Sequence, residues 1–284
     1  MKKITKISKV SKPLWITHLK LSEVKRVLDR VQPYIMQIAF GVVSPMESHP
    51  EIWDIFAECR SRGIVPNVTI NQRLNEETAK NIAKYCGAVA VSVNADNKEI
   101  AYDAIKLLSV ENRMKQVNIH YTIHSNNYDF AFDVMKDMKT DSRLINMNAL
   151  VFLSLKQKGA GKGLLQLSQE KFETIVDYAM ENELSIGFDS CGAHKFLESV
   201  KNRDDYERLK QICEPCEQSL FSSYINVFSE YFPCSFIEGE NGWENGINVA
   251  NCYNFIENVW MSERVKKERE KLLKCSRNCP YFKI

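Results

Sequence analysis

Short apolar runs alternate with segments of helical periodicity between residues 35 and 188. The predicted strands are 35–40, 64–70, 88–93, 116–123, 146–153 and 184–188. The predicted helices are 21–31, 51–62, 75–86, 98–108, 128–138 and 169–182. The strands contain few charged residues, so we expect them to be buried on both faces. Such alternation is typical of right-handed βα units repeated around a parallel sheet.

This pattern predicts an α/β fold, most simply a partial (β/α) barrel of the TIM type, with an open doubly wound sheet as the alternative. In both folds the functional residues lie at the carboxyl ends of the strands. The alternation stops after residue 188, and a small cysteine-rich α+β domain is expected to follow. The predicted division is an N-terminal segment 1–20, a barrel 21–190 and a C-terminal domain 191–284.

Finer elements are expected at both ends of the chain. Residues 3–10 have the pattern of a short strand. In the C-terminal part we predict helices at 206–212, 249–259 and 263–273 and a hairpin formed by 222–227 and 230–236.

Charge and hydropathy exclude several classes of function. The 284 residues carry a formal charge of +2, with both signs mixed along the chain, so no nucleic-acid partner is expected. No apolar run reaches the roughly 18 residues that a membrane span needs. The lysine-rich N-terminus lacks the apolar core of a secretory signal. We therefore predict a cytoplasmic protein, in which cysteines stay reduced.

Seven of the nine cysteines lie in the last third of the chain. The candidate metal ligands are Cys191, Cys213, Cys216, Cys234 and Cys279. Reduced thiols gathered in this way favour a metal or a cluster. Cys213 and Cys216 form a CxxC pair, while Cys279 precedes a proline, as cluster ligands often do, and is an alternative to Cys213. Four thiolates suit an iron–sulfur cluster or a tetrahedral zinc ion. Inert buried thiols are the third interpretation.

Several segments resemble the radical S-adenosylmethionine (radical SAM) proteins that carry a C-terminal auxiliary cluster domain of the SPASM or twitch type. Residues 63–71, Gly-Ile-Val-Pro-Asn-Val-Thr-Ile-Asn, resemble the third strand of that family. Residues 89–93 are similar to its fourth strand, and 152–163 to the loop after its sixth. The segments similar to the auxiliary-cluster region are 188–191, 213–216, 222–227 and 232–234. The resemblance covers residues 20–284.

The resemblance implies a partial barrel and favours a 4Fe-4S cluster over zinc. It also implies SAM as a candidate cofactor. The implied SAM contacts are Gly41, Ser44, Thr69, Asn71 and Ser92. The family's substrates suggest modification of a peptide or protein by hydrogen-atom abstraction. The auxiliary cluster would then pass electrons or bind the substrate.

The chain also departs from the family. No cysteine precedes Cys59, so the CxxxCxxC that binds the catalytic cluster is absent from this sequence. The Gly-Gly-Glu-Pro motif, whose glutamate holds the SAM amino group, is replaced by a segment with Ser44 at the carboxylate position and Glu47 nearby. Gln72 replaces the last glycine of the third-strand motif. We expect the catalytic cluster to be absent, or supplied by an upstream segment or a second protein.

Two alternative functions follow from these departures. The chain could be a non-catalytic cluster-binding or partner-binding homologue that recognises the substrate of an active paralogue. It could also be a zinc-stabilised binding domain. Among the histidines, His120 is the best candidate to face the barrel mouth, because it lies in the predicted strand 116–123.

Overall fold

The computed structural model describes residues 18–41 and 45–284. Its larger part is a parallel sheet of six strands in the order β1-β2-β3-β4-β5-β6. The strands are β1 (Gln37–Phe40), β2 (Val65–Ile70), β3 (Val89–Ser92), β4 (Val117–Ile123), β5 (Ala149–Ser154) and β6 (Ile186–Phe188). The helices that accompany them are α1 (Leu21–Val31), α2 (Ile52–Ser61), α3 (Glu76–Tyr85), α4 (Lys98–Lys106), α5 (Tyr128–Thr140) and α6 (Gln169–Glu181).

The strand order decides between the two predicted architectures. Neighbours in the sheet are also neighbours in the chain, which is the order of a barrel, whereas a doubly wound sheet reverses its order at a switch point. Among the described residues β1 and β6 do not pair with each other, so the barrel is open. The predicted α/β fold with a partial barrel is confirmed, and the doubly wound alternative is wrong.

Local sequence explains where several helices begin and end. The Asn75 side chain accepts a hydrogen bond from Thr78 N (2.8 Å) and so caps the first turn of α3. The Ser168 side chain does the same for α6 through Lys171 N (3.4 Å). Gly63 follows α2 with φ at +75°, a conformation that glycine adopts without steric cost.

The barrel strands have two different faces. In β4, Val117 and Ile119 are buried, whereas Asn118 and His120 are half-buried and Thr122 is exposed. The same alternation occurs in β2. The prediction that the strands are buried on both faces is therefore wrong for these two. One face packs on the helices, while the concave inner face of an open barrel has no opposing layer to cover it.

The C-terminal part holds a second sheet and three helices. The helices are α7 (Ala193–Ser199), α8 (Tyr206–Ile212) and α9 (Glu263–Lys274), and the antiparallel strands are β7 (Tyr224–Ile225), β8 (Glu230–Phe232) and β9 (Ile247–Asn248), in the order β7-β8-β9. The predicted hairpin and the predicted helices at 206–212 and 263–273 are confirmed. Helix α7 and strand β9 were not predicted.

The helix predicted at 249–259 is wrong, because only the single turn Ile256–Trp260 is helical there. Asparagine side chains hold the backbone in turns instead. Asn248 Oδ1 accepts from Asn251 N (2.9 Å) and holds a turn before residue 252, whereas Asn254 Oδ1 accepts from Glu257 N (3.2 Å) and caps the short helical turn that follows. Such local side-chain bonds compete with helical ones.

The buried side chains of both sheets form one continuous cluster that includes Val24 near the beginning and Val265 in α9. The domain boundaries at residues 20 and 190 therefore stay predictions. The strand predicted over 3–10 lies outside the described residues. No described helix combines the length and the apolar character that crossing a bilayer requires.

Candidate metal centre

Four of the five candidate thiols come from four separate segments of the chain. Cys191 lies three residues after β6, Cys216 lies in the loop after α8, Cys234 follows β8 and Cys279 follows α9. Each of these segments ends at the same region of the molecule. All nine cysteines of the chain are free thiols, so none of the four is committed to a disulfide.

The four thiols are electrostatic neighbours. Burial raises the pKa of Cys216, and the thiols of Cys279 and Cys234 raise it further. Burial likewise raises the pKa of Cys191 to about 12, and Cys216 contributes to that rise. Cys279 also acts on Cys234, whose pKa is raised mainly by burial. Thiols that disfavour one another's ionisation in this way form one group. A positively charged metal centre would offset the repulsion between their ionised forms.

Cys213 does not join this group. It is buried, its Sγ lies 3.7 Å from the carbonyl oxygen of Ala193, and its pKa is raised by burial and then by Glu214. None of the other four thiols contributes to that shift. Of the two CxxC cysteines, the geometry therefore favours only Cys216 as a ligand.

Backbone N–H groups point at three of the four sulfurs. Phe236 N donates to Cys234 Sγ (3.4 Å), and Phe282 N donates to Cys279 Sγ (3.3 Å). A backbone hydrogen bond from Gln218 lowers the pKa of Cys216 against the larger effect of burial. Donors of this kind stabilise a thiolate, so the local backbone is already arranged for charged sulfur.

Arg277 fixes the approach of the last segment to the CxxC loop. Its Nε donates to Cys216 O (3.1 Å), and its Nη2 donates to Pro215 O (2.8 Å). In return, Cys216 N donates to Arg277 O (3.3 Å). Because Cys279 is two residues further on, these bonds place its segment against Cys216.

The spacing of the group bears on the choice of metal. Within residues 18–41 and 45–284, no three side chains of His, Cys, Asp or Glu converge tightly enough to hold a single metal ion. A tetrahedral zinc site requires four sulfurs at about 2.3 Å from one ion. A 4Fe-4S cluster is larger, and each thiolate binds a different iron. The described side chains therefore form no tight single-ion site of the kind that zinc requires.

A buried ion pair borders the thiols. Lys156 Nζ contacts the carboxylate of Asp189, two residues before Cys191. Asp189 Oδ1 also accepts hydrogen bonds from Ser154 Oγ (2.8 Å) and from Gly192 N (3.1 Å). A side chain at Gly192 would lie 2.9 Å from Ser154 Oγ, so this turn needs glycine. The ends of β5 and β6 are thereby joined beside Cys191.

The candidate SAM contacts lie elsewhere, at the carboxyl ends of β1, β2 and β3. Gly41 follows β1, Thr69 and Asn71 lie at the end of β2, and Ser92 is the last residue of β3. The pairing of Ile70 with Val91 places these strand ends side by side. The structure thus brings together the four described candidates. Ser44 lies outside the described residues.

Glu47 lies near the segment that differs from the Gly-Gly-Glu-Pro motif, and its carboxylate already accepts hydrogen bonds within this chain. Its oxygens accept hydrogen bonds from Gln72 Nε2 (2.5 Å) and Thr78 Oγ1 (2.6 Å). Gln72 Oε1 in turn accepts from Met46 N (2.8 Å). Gln72 therefore holds this loop and engages the Glu47 carboxylate.

His120 lies on the inner face of β4, beside Ser92 of β3. Burial lowers its pKa, and Asp189 opposes that effect. A neutral imidazole at this position can donate or accept one hydrogen bond toward the barrel interior.

Sequence reasoning missed two lysines after β5. Lys156 is 7% exposed, and Lys158 Nζ donates to the carbonyls of Phe236 (2.8 Å) and Glu238 (2.7 Å) in the segment after Cys234. One observation in the sequence could have identified them. Lysines that directly follow a buried strand lie at the functional edge of a parallel sheet.

Comparison with known proteins supports the fold. No protein-family model matches the chain, and no curated protein matches it. Among solved structures, SuiB of Streptococcus suis superposes on 86% of this chain with a TM-score of 0.64 and 14% sequence identity. This chain has the SuiB fold.

SuiB bound to S-adenosylmethionine covers 88% of this chain with a TM-score of 0.63 and 13% identity. SuiB bound to its precursor peptide SuiA covers 90% with a TM-score of 0.66 and 14% identity. The chain spans 60 to 62% of the length of SuiB in these structures. At this level of identity the matches show a shared fold.

Proposed function

We propose that this chain is a radical SAM-like iron–sulfur protein that holds one auxiliary 4Fe-4S cluster and takes part in peptide or protein modification. The proposed ligands are Cys191, Cys216, Cys234 and Cys279. The observation that carries the proposal is the interaction of these four thiols, which come from four different segments. Cys213, the fifth sequence candidate, is proposed as a structural thiol instead.

The donor chemistry supports a cluster. Four thiolates are the common ligand set of a 4Fe-4S centre, and such a centre supplies one-electron transfer or a site for a ligand when bound. Backbone donors to Cys234 and Cys279 stabilise the ionised sulfur that iron requires. The surroundings are partly apolar, since Phe236 and Phe282 pack edge to face at 6.2 Å beside these two cysteines.

For the barrel we propose a SAM-binding edge at the ends of β1–β3, formed by Gly41, Ser44, Thr69, Asn71 and Ser92. The support is the common location of the described four and the SAM complex of SuiB. When bound there, SAM would meet polar groups but no thiol, since Cys59 and Cys86 are buried. Burial raises their pKa values to about 11 and about 12, respectively, which keeps them protonated.

The proposed substrate is a peptide or a protein segment. The support is the SuiB complex with its precursor peptide, together with an open barrel in which β4 carries the polar side chains of Asn118, His120 and Thr122 on its inner face. The absence of the CxxxCxxC from this sequence favours a second candidate, a non-catalytic homologue that binds the cluster and recognises the substrate of an active paralogue. Both candidates share the auxiliary cluster. The first also requires SAM cleavage at a catalytic cluster whose ligands another segment or a second protein would supply, so it predicts no cleavage by this chain alone.

The test is anaerobic reconstitution followed by measurement of iron and sulfide. Wild type should bind about four of each per chain. Cys216→Ala should bind little, because it removes a ligand, whereas Cys213→Ala should bind as much as wild type. These two variants remove the same group from the same CxxC loop, so they form a matched pair.

Two results would overturn the proposal. Purified protein that holds one zinc ion and takes up no iron would make the centre a zinc site. Equal iron content in wild type, Cys216→Ala and Cys234→Ala would mean that these thiols are inert core residues.

A further inference from the structure

We propose that Asn241 is a site of spontaneous deamidation, whereas Asn245, which has the same neighbours in the sequence, is protected. This inference does not depend on the proposed function, because it requires neither a metal nor a substrate. Residues 240–247 read Glu-Asn-Gly-Trp-Glu-Asn-Gly-Ile and contain the two Asn-Gly pairs of the chain. Asparagine is thermally labile, most of all before glycine, which has no side chain to hinder attack by its nitrogen.

The reaction is intramolecular and needs only water as a co-reactant. The backbone nitrogen of the glycine loses its proton and bonds to the side-chain Cγ of the asparagine. The Cγ–Nδ2 bond breaks, and ammonia leaves with that proton. Water then opens the resulting five-membered succinimide at one of its two carbonyls, which gives aspartate or isoaspartate without any oxidation or reduction. The backbone of the asparagine must first rotate so that the glycine nitrogen faces the Cγ.

Asn241 lies in an exposed turn that is held by a neutral hydrogen bond. Asn241 and Gly242 have φ values of +56° and +85°, and Trp243 N closes the turn by donating to Glu240 O (2.8 Å). These are the features of the type I′ turn that Asn-Gly favours. Among the described residues, none is hydrogen-bonded to the carbonyl or the side chain of Asn241. Rotation at Asn241 therefore costs one neutral backbone bond.

The glycine after Asn241 has room for the ring and an acceptor for its proton. A Cβ at Gly242 would meet no atom within 4 Å, so a ring formed at this residue would project into solvent. Gly242 N donates to Glu244 Oε1 (3.2 Å), and both residues are exposed. The amide proton thus faces a side-chain carboxylate and water rather than a backbone carbonyl.

Asn245 has the same local sequence but a different environment. Its carbonyl accepts a hydrogen bond from Arg264 Nη2 (2.8 Å), and this carbonyl must swing away before the ring can form. The glycine that follows, Gly246, is enclosed. A Cβ there would lie 2.6 Å from Glu230 Cβ and 2.7 Å from Tyr231 O. Ring formation at Asn245 would therefore break a charge-assisted bond and crowd strand β8.

The two environments predict different rates of deamidation. A charge-assisted hydrogen bond contributes more free energy than a neutral one. Converted to a rate, the bond from Arg264 should slow the reaction at Asn245 by about tenfold relative to Asn241. The close packing of Gly246 acts in the same direction.

Isoaspartate at position 241 would affect the small sheet beyond the turn itself. It inserts an additional methylene into the main chain just before Gly242, whose carbonyl accepts a hydrogen bond from Arg264 Nη2 (2.7 Å). The Arg264 guanidinium in turn lies 3.8 Å from the ring centre of the buried Trp243. The modification would therefore weaken the contact between this turn and the core of the small sheet.

The test measures both rates in one sample. Purified full-length protein is incubated at mildly alkaline pH, digested with a protease that cleaves after glutamate, and analysed by mass spectrometry. Cleavage after Glu240 and Glu244 puts the two asparagines on separate peptides. In the folded protein Asn241 should be converted about ten times faster than Asn245. In urea the two rates should be similar, because both asparagines lie between glutamate and glycine.

Any of three outcomes would overturn the inference. These are equal rates in the folded protein, a faster reaction at Asn245, and no reaction at Asn241 under conditions in which the urea sample reacts. Asn241→Gln is the control for the assignment, and the mass increase of the peptide that begins at residue 241 should disappear in this variant.

Arg264→Met tests the reason for the difference. The ratio of the two rates should fall toward its value in urea, because the carbonyl of Asn245 becomes free to rotate. A ratio equal to that of wild type would overturn the role of the Arg264 bond. If this variant does not fold, the comparison of the two sites in folded wild type still decides whether Asn241 is the labile site.

Discussion

The two ends of the parallel sheet differ in the chemistry they present. At β1–β3 the strand ends carry hydroxyl and amide groups, and Gln72 and Thr78 hold the Glu47 carboxylate. At β5–β6 the strand ends carry a buried ion pair and adjoin four thiols. One scaffold thus keeps a candidate metal centre on one side while the other side has no reactive thiol. The difference indicates that the two sites of such a fold are separable.

The prediction with the largest expected effect tests whether the β1–β3 end and the β5–β6 end are separable. Reconstituted protein incubated with SAM and dithionite should release no 5′-deoxyadenosine above a blank without protein. Reductive cleavage requires an iron with an open coordination position near the SAM sulfonium, and the thiols of the first 190 residues, Cys59 and Cys86, are buried and protonated. The product is quantified by liquid chromatography.

Addition of an unrelated active radical SAM enzyme to the same mixture controls for the quality of the reagents. Substantial 5′-deoxyadenosine from this chain alone would show that the β1–β3 end is catalytic after all, and the comparison would fail.

The next prediction asks whether the cysteine-rich side folds without iron. Trp243 is 1% exposed and packs on Tyr231 and Phe232, with the Arg264 guanidinium 3.8 Å from its ring centre. Trp243→Ala should lower the free energy of unfolding of the iron-free protein by about 3–5 kcal/mol, because it leaves a large cavity. Urea denaturation of the iron-free protein measures this change in the free energy of unfolding.

Phe56→Ala in α2, where Phe56 is fully buried, is the matched variant on the barrel side and should cost a similar amount. A cost below about 1 kcal/mol for Trp243→Ala in the iron-free protein would mean that the small sheet orders only around the metal.

A smaller effect is expected for Lys158, which connects the loop after β5 with the segment after Cys234. Lys158→Met removes the ammonium that binds the carbonyls of Phe236 and Glu238. The cost should be about 1 kcal/mol, because these are charge-assisted bonds on a side chain that is 26% exposed. Iron release to a chelator should also accelerate. Lys162→Met is the control, and equal behaviour of the two variants would exclude a specific role for Lys158.

The smallest effect depends on pH at the β1–β3 end. Burial raises the pKa of Glu47, but hydrogen bonds from Thr78 and Gln72 outweigh it, so the pKa is lowered. A depressed carboxyl pKa contributes stability above the ordinary value of about 4.3, and this is lost as the pH falls through the folded-state value. Glu47→Gln should cost about 0.5 kcal/mol at pH 7, after allowance for screening, and less at pH 4.

Urea midpoints of wild type and Glu47→Gln across this pH range provide the measurement. A difference that grows toward acid pH would contradict the sign, and would mean that the carboxyl group is strained rather than stabilised.

The barrel was predictable because the local sequence of each βα unit specifies its strand and its helix. Each βα unit has its own periodicity, and caps such as Asn75 and Ser168 lie where side-chain chemistry requires them. The burial of the strands was less predictable, since apolar composition alone does not say whether a layer covers the inner face. The predicted helix at 249–259 was wrong because the Asn248 side chain holds a turn at its beginning, which apolar spacing does not reveal.

The candidate site was predictable only in outline. Cysteine grouping predicted the candidate thiols, which stay a prediction. Sequence spacing favoured the CxxC pair as a unit, whereas in the fold Cys213 Sγ lies against the Ala193 carbonyl and Cys216 interacts with Cys279 and Cys234. Lys156 was not among the predicted site residues, although it lies in the segment 152–163 that resembles the family's loop. Its burial depends on its pairing with Asp189, a contact between residues far apart in the chain that sequence spacing does not indicate.

The distribution of the four thiols has a consequence for biosynthesis. The parallel strands pair in chain order, so each can dock on its predecessor as it leaves the ribosome. The barrel can therefore fold before the C-terminal part has been synthesised. Cys279, in contrast, reaches Cys216 only after the Arg277 segment has emerged and attached. A metal donor that arrives before residue 279 has emerged would meet only three of the four proposed ligands, so loading of the proposed cluster would have to follow the synthesis of the Arg277 segment.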